Sequence, residues 1–126
     1  MKRHVLLALA AVLLCSFSFA APKDTTYSGE IMDSECAANG SHADMLKKEG
    51  LGGDKHPDDP MAKKMCTAKC IKAGGKYVLY DAAAKKVYAL DDQTKPEQFA
   101  GQKVKVTGAL DQATETIHVT SIASGS

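Results

Sequence analysis

The chain has 126 residues, of which 44% are hydrophobic, 25% charged and 6% aromatic, and its formal net charge is +1. This composition excludes collagen-like, low-complexity and strongly disordered chains. The near balance of 16 basic and 15 acidic residues also gives no basic footprint for nucleic acid and no acidic tail.

Residues 1–20 have the pattern of a secretory signal peptide. Residues 2–4 form a positive start, residues 5–14 are an unbroken apolar run, and small residues at Ser18 and Ala20 suit cleavage. The apolar run is shorter than the roughly 20 residues that a membrane-spanning helix needs. We therefore expect an exported protein, periplasmic or extracellular, with no membrane span after the signal is removed.

Removal of the signal changes the charge and the cysteine count. Residues 1–20 hold two of the 16 basic residues and none of the 15 acids, so the remaining chain has 14 bases and a formal charge of −1. Three of the four cysteines remain, and an odd number is unusual in an oxidising compartment where disulfides use cysteines in pairs. We expect residues 21–126 to form a single domain, long enough for one small core.

A cysteine-bearing segment, 34–75, follows a first predicted strand at 27–33. It contains no aromatic residue. Ser34 and Ser41 are predicted to cap two short helical pieces. Residues 60–73 are predicted to form a longer helix, because an aspartate and a first-turn proline begin it and two glycines follow it.

From residue 76 onward the sequence has the pattern of β-strands. Five strands with a helical turn between the third and fourth is the order of an OB-type barrel, and a small open β-sandwich is the competing architecture. The predicted fold class is mainly β, a five-stranded OB-like barrel with the helical segment inserted between strands 1 and 2. The predicted elements are strands at 77–80, 87–90, 104–110 and 117–122, a helical turn at 96–100, and a bulge or strand end near Ser121.

The inserted segment carries a pattern of possible metal ligands, Cys36-x5-His42 followed by Cys66-x3-Cys70. On a helix, Cys66 and Cys70 lie one turn apart with Cβ atoms about 5–6 Å apart, which is too far for an undistorted disulfide. Two such thiolates can converge on one ion, and Cys36 and His42 can complete a tetrahedral set. We therefore predict a metal site at these four residues, for zinc or, as the alternative, Cu(I).

A disulfide is the competing interpretation of the same cysteines. Cys36 can bridge Cys66 or Cys70, which would stabilise the fold by about 3 kcal/mol, leave one thiol over and remove the need for a cofactor. If His42 points away from the cysteines, His56 is the substitute ligand.

Other side chains near the segment are expected to have structural roles. Met61 and Met65 lie around the helix from the cysteines and are expected to pack onto the barrel. Asp33 and Glu35 can tune a thiol, but they are more simply interpreted as acids that favour a helix start. His118 is expected on the surface.

Several runs of residues carry a resemblance to a known family. They resemble a family of small secreted bacterial domains of unknown function, and the last run also resembles periplasmic OB-fold proteins in its Lys-Val-x-Val-x-Gly strand. The resemblance implies the fold and no activity. The runs are Gly29 to Cys36, then His42, Cys66 to Cys70, Gly75 to Asp81, and Phe99 to Gly108.

The sequence favours a non-enzymatic function. It has no Cys-x-x-Cys motif, no haem attachment motif and no phosphate-binding loop, and residues 21–126 contain no arginine. We expect a small exported domain with a Cys/His site that is either metal-binding or stapled by a disulfide, and no nucleic-acid partner. Two alternatives are a module that binds an envelope or extracellular partner with purely structural cysteines, and a thiol-redox protein with one reactive cysteine.

Overall fold

The computed structural model describes residues 20–40, His42 and residues 59–126. Its elements follow the predicted order closely. In chain order they are β1 (Thr25–Asp33), α1 (Ser34–Ala38), α2 (Pro60–Lys72), β2 (Tyr77–Asp81), β3 (Lys86–Leu90), a 3-10 helix (Lys95–Phe99), β4 (Lys103–Asp111) and β5 (Thr116–Ser124).

The five strands close into a ring in the order β1-β2-β3-β5-β4. Neighbouring strands are antiparallel except for a short parallel pairing between β3 and β5, and β4 returns to pair with β1. The 3-10 helix connects β3 to β4. The predicted fold, a mainly β, five-stranded OB-like ring with a helical segment between strands 1 and 2, is confirmed.

The interior of the ring is an apolar core. It arises from strand alternation: Val104 and Val106 of β4 are buried, whereas Lys103 and Lys105 between and beside them are exposed. The buried core residues are Ile31, Tyr77, Leu79, Tyr88, Leu90, Ala100, Val104, Val106 and Ile117.

A β-bulge interrupts the pairing of β4 with β5. Thr107 pairs with Ser121 and the next pair is Gly108 with Val119, so Thr120 is an additional residue on β5. The bulge lies where the alternation of the sequence breaks, so of the two alternatives predicted near Ser121, a bulge or a strand end, the structure has the bulge.

The short helix α1 begins at an aspartate. The side chain of Asp33, the last residue of β1, accepts hydrogen bonds from the backbone N–H groups of Glu35 and Cys36, both at 3.0 Å. The prediction that Ser34 caps this helix is wrong, because the carboxylate of Asp33 already satisfies the free N–H groups and Ser34 is the first helical residue. The helical piece predicted from Ser41 lies outside the described residues, apart from His42.

The longer helix α2 is close to its prediction. The Asp59 carboxylate accepts a hydrogen bond from the backbone N–H of Met61, and Pro60 occupies the first turn. The helix ends at Lys72 with Ala73 as its cap. Within the described ranges, no helix has the length and apolar character needed to cross a bilayer.

Helix α2 rests against the ring at a glycine. Gly101, after the 3-10 helix, has a φ of +73°, and its N–H donates a 2.8 Å hydrogen bond to the carbonyl oxygen of Ile31 in β1. A Cβ atom at Gly101 would lie 2.7 Å from the backbone nitrogen of Lys64 and 2.8 Å from the carbonyl carbon of Lys63. Glycine therefore permits close approach between the backbone of α2 and the ring.

The face of α2 turned toward the ring is not its methionine face. Met61 and Met65 are 63% and 66% exposed, so the prediction that they pack onto the barrel is wrong. The side chain turned inward most completely is Thr67, which is fully buried, with the cysteines of α2 partly buried next to it. The face that covers the ring therefore contains a buried threonine and two cysteines, and near the end of the helix Ile71 packs against the core.

Candidate metal centre

The site lies on the outer face of the ring, against β1 and β2. In these strands Ile31 and Leu79 point into the core, so Met32 and Val78 point to the opposite face. There Met32 and Val78 pack with Cys36 in a second, smaller cluster that Cys66 and Cys70 flank. The site is thus formed where α1 and α2 cover one side of the two strands.

The thiols of Cys36, Cys66 and Cys70 meet in this cluster. Cys36 is fully buried, and its Sγ lies 3.8 Å from the Sγ of Cys66, although 30 positions separate them in sequence. All three cysteines are free thiols. A disulfide has an S–S bond of about 2.05 Å, so the sulfurs are in contact and not bonded.

His42 is buried beside these thiols, only 2% exposed. One of its ring nitrogens and the sulfurs of Cys36 and Cys66 form a group of possible ligand atoms that all lie within 4.8 Å of one another. Its Nδ1 is hydrogen-bonded to Oε1 of Glu30, and its Nε2 lies 3.0 Å from Oγ1 of Thr67. Because Glu30 occupies Nδ1, Nε2 is the nitrogen that can accept a proton, a hydrogen bond or a metal ion.

Glu30 is itself held in place by a second partner. Its Oε2 accepts a 3.2 Å hydrogen bond from Nζ of Lys63 in α2. Burial acts to raise the pKa of Glu30, but the hydrogen bonds and positive charges of His42 and Lys63 outweigh it and hold the pKa below its ordinary value. The carboxylate therefore stays ionised and orients the imidazole.

A second group of possible ligands shares Cys36 with the first. A carboxylate oxygen of Asp33 and the sulfurs of Cys36 and Cys70 also lie within 4.8 Å of one another. Asp33 is fully buried; its Oδ2 caps α1, and its Oδ1 has no hydrogen-bond partner among the described residues. Asp33 is thus a buried acid beside the cysteines, and one of its two oxygens is unpaired among the described residues.

The environment keeps two of the thiols protonated in the absence of a cation. Burial raises the pKa of Cys36 far above its ordinary value, and the nearby carboxylate of Asp33 and the thiol of Cys66 raise it further. Burial also raises the pKa of Cys70, with a further contribution from Asp33. Neither thiol has the lowered pKa that characterises a reactive cysteine.

A cavity of about 380 Å³ opens beside His42. Its walls include Met32 and Glu30 of β1, and Lys63 and Lys103 from α2 and β4. The imidazole and its supporting carboxylate both line this cavity, so it borders the histidine side of the site.

The four residues predicted as metal ligands are divided between two overlapping groups. Cys36, His42 and Cys66 form the first group, while Cys70 joins Cys36 in the second. Sequence reasoning missed Glu30, whose position on an outward strand face is typical of a solvated acid. His56 lies outside the described residues.

His118 lies away from this site, on the surface as expected. Its side chain is 57% exposed, and its Nδ1 lies 3.0 Å from Oδ2 of Asp91. Asp33 is the helix-start acid that was expected, and it is also a neighbour of the thiols.

Fold and site together define a small β domain of OB type with a Cys/His cluster on its outer face. Residues 71–125 match a family model described as "Protein of unknown function (DUF5818)". This range begins directly after Cys70, so the three cysteines and the histidine of the site lie outside the match. Neither the curated proteins nor the solved structures gave a match to the chain.

Proposed function

We propose that this protein is a metal-binding domain that holds a zinc ion through Cys36, Cys66 and His42. Thiolate and imidazole are the ligands that structural zinc sites use. The cluster offers both kinds of ligand in one buried place, formed by three separate parts of the chain.

The observation that carries the proposal is the distance between two sulfurs. With Zn–S bonds of about 2.3 Å and a tetrahedral angle, two thiolates on one zinc ion lie about 3.8 Å apart. The sulfurs of Cys36 and Cys66 are 3.8 Å apart. These two ligands therefore need little rearrangement to bind an ion.

The support of His42 strengthens the proposal. Histidines that bind metals almost always donate their other ring N–H to a carboxylate, a backbone carbonyl or a water. The Nδ1 of His42 bonds Glu30 in this way. When zinc binds, Nε2 of His42 would give up its contact with the hydroxyl of Thr67 and bind the ion. Cys70 or a water would then be the fourth ligand of the zinc.

Cu(I) is the alternative metal, because soft thiolates also select it. The imidazole favours zinc over Cu(I) as the resident ion. The two exposed methionines of α2 are on a different side of that helix from the buried Thr67, so among the described residues the thioether nearest the thiols is that of Met32, which packs with Cys36.

The cellular setting is part of the proposal and has support from the sequence. The basic start, apolar run and small residues of residues 1–20 support export to the periplasm or the exterior. The resemblance of the Cys-His motif to small secreted bacterial domains supports the same setting. We propose a non-enzymatic role there, with an envelope or extracellular partner as the alternative function of the ring.

A disulfide-stapled protein is the second candidate, and the contact between Cys36 and Cys66 favours it over other pairings. Oxidation of these two thiols would leave Cys70 as the remaining thiol of the cluster. Mass spectrometry of non-reduced protein would then find it two hydrogens lighter, with Cys70 open to alkylation and no bound metal.

Elemental analysis of the full chain, purified under reducing conditions without chelator, tests the proposal. We expect at least one equivalent of zinc. His42→Gln should weaken zinc binding by about 100-fold, because each of the ligands contributes a comparable share of the affinity of a structural zinc site. Competition with a chromophoric chelator measures this change.

His118→Gln is the matched control, since that histidine is exposed and lies away from the cluster. It should bind zinc as the unaltered protein does. A folded, reduced protein without zinc affinity would contradict the proposal, and so would equal affinities in the two histidine variants.

A further inference from the structure

We infer that the cluster holds two divalent cations, bridged by the thiolate of Cys36. The first ion is that of the proposed function, on which this inference rests, bound by Cys36, Cys66 and His42. The second ion is bound by Cys36, Cys70 and Asp33. The class of ion is a thiophilic divalent cation, with zinc as the resident and cadmium as a probe.

The two groups of donor atoms are the first observation behind this inference. Each group has three different side chains whose donor atoms lie within 4.8 Å of one another, and Cys36 is the member they share. A thiolate can bind two zinc ions at about 2.3 Å each, which keeps the ions within about 4.6 Å. Two-metal sites in proteins have ions about 3.5–4 Å apart, within this limit.

The unsatisfied oxygen of Asp33 is the second, independent observation. Asp33 is 0% exposed, and its Oδ1 has no hydrogen-bond partner among the described residues. Buried acceptors without a partner are rare, because each has lost its water without compensation. Since capping α1 needs Oδ2 alone, Oδ1 is available to a cation.

Charge balance favours two ions over one. Three thiolates and the Asp33 carboxylate carry four negative charges, and two divalent cations carry four positive charges. A single divalent ion would balance the thiolates of Cys36 and Cys66 but leave the carboxylate of Asp33, which is fully buried, without a cation, and an uncompensated buried charge is costly. Glu30 does not enter this balance, because it is already paired with Lys63 and His42.

Counting the bound ions tests the inference. The reduced full chain is loaded with excess zinc, freed of weakly bound metal and weighed by native mass spectrometry. We expect two ions in the unaltered protein, one in Asp33→Asn and one in Cys70→Ser. Asparagine keeps an oxygen that can cap α1, so Asp33→Asn removes the charge with little change to the helix.

Asp59→Asn is the matched control, because Asp59 caps α2 as Asp33 caps α1. It should keep two ions. Cadmium-113 NMR gives a second readout: two resonances with mutual coupling through the bridging sulfur in the unaltered protein, and one resonance in Cys70→Ser.

The outcomes separate this inference from the proposed function. A single ion in the unaltered protein would overturn the inference and leave the proposed function standing, with Cys70 as the fourth ligand of one ion. Two ions in both Asp33→Asn and Cys70→Ser would also overturn it. No ion in a folded, reduced protein would overturn both.

Discussion

The interior of the ring and the helical face that covers the ring differ in the kinds of side chain that they contain. The interior of the ring is aliphatic and aromatic, with nine buried residues that alternate along the strands. The outer cluster contains four buried residues, and cysteines make up part of it and of its border. The family match covers only part of the ring, since it begins after Cys70 and includes β2 to β5 but not β1.

This difference indicates how each region is stabilised. The ring has enough apolar contact to hold itself together, as sheets with a packed face do. Helix α2 presents Cys66, Thr67 and Cys70 to the ring, with Ile71 packed against the core, so hydrophobic burial contributes only part of its docking. We expect bound metal to supply much of the remaining free energy that holds α2 against the ring.

The largest effect should come from the core of the ring. Leu79→Ala removes a fully buried side chain and should lower the free energy of unfolding by about 2–5 kcal/mol. Met65→Ala, the matched control on the exposed side of α2, should change it by less than about 0.5 kcal/mol. Urea denaturation of the metal-loaded protein measures both, and equal effects would remove the distinction between the two regions.

An intermediate effect should come from the support of His42. Glu30→Gln keeps the shape of the side chain but loses the charge that orients the imidazole, so we expect zinc affinity to fall by about 10–100-fold. Glu115→Gln, an exposed residue between β4 and β5 that pairs with Lys86, should leave the affinity unchanged. Chelator competition distinguishes the two variants, and an unchanged affinity in Glu30→Gln would show that the carboxylate does not tune the site.

The smallest effect should appear as a pH dependence of the metal-free protein. The pKa values of Cys36 and Cys70 are raised in the folded state, chiefly by burial, so the unfolded chain loses these thiol protons first as the pH rises. Stability contributed by the thiols is therefore complete below the ordinary thiol pKa of about 8.5 and declines above it. Bound zinc should remove this decline, because its ligands are already deprotonated.

Denaturation of reduced, metal-free protein between pH 7.5 and 9.5 (roughly one pH unit on either side of that thiol pKa) measures this decline. The double variant Cys36→Ser, Cys70→Ser should show a flatter profile. Burial also raises the pKa of Tyr77, but Tyr77 is present in both proteins, so the difference between the profiles reports the thiols. Identical profiles in the two proteins would show that the thiols of Cys36 and Cys70 do not cause the decline in stability.

The strands of the ring could be predicted from the sequence because the alternation of apolar and polar residues involves only neighbours along the chain. The alternation around Val104 and Val106 predicted a strand, and the break in alternation near Ser121 indicated the position of the bulge. The start of α2 was equally local, since an aspartate followed by Pro60 is a strong helix signal.

The site could be predicted only in part, because its partners meet through tertiary packing. Cysteine and histidine can be recognised as possible metal ligands from their residue type alone. Glu30 and Thr67 have ordinary positions on a strand and a helix, so the sequence does not single them out. Their roles arise when α2 covers the outer face of β1. The prediction for Met65 was wrong because it assumed that the most apolar face of a helix turns inward.

The backbone contact at Gly101 between α2 and the ring restricts which residues this position can accept. A positive φ alone tolerates asparagine, but the approach of Lys63 and Lys64 leaves no volume for any Cβ. Homologues that retain the Cys-x3-Cys helix should therefore be restricted to glycine at this position. Homologues that have lost the helix should be free to substitute it, so this one column of an alignment would tell which members of a family keep the cysteine-bearing helix.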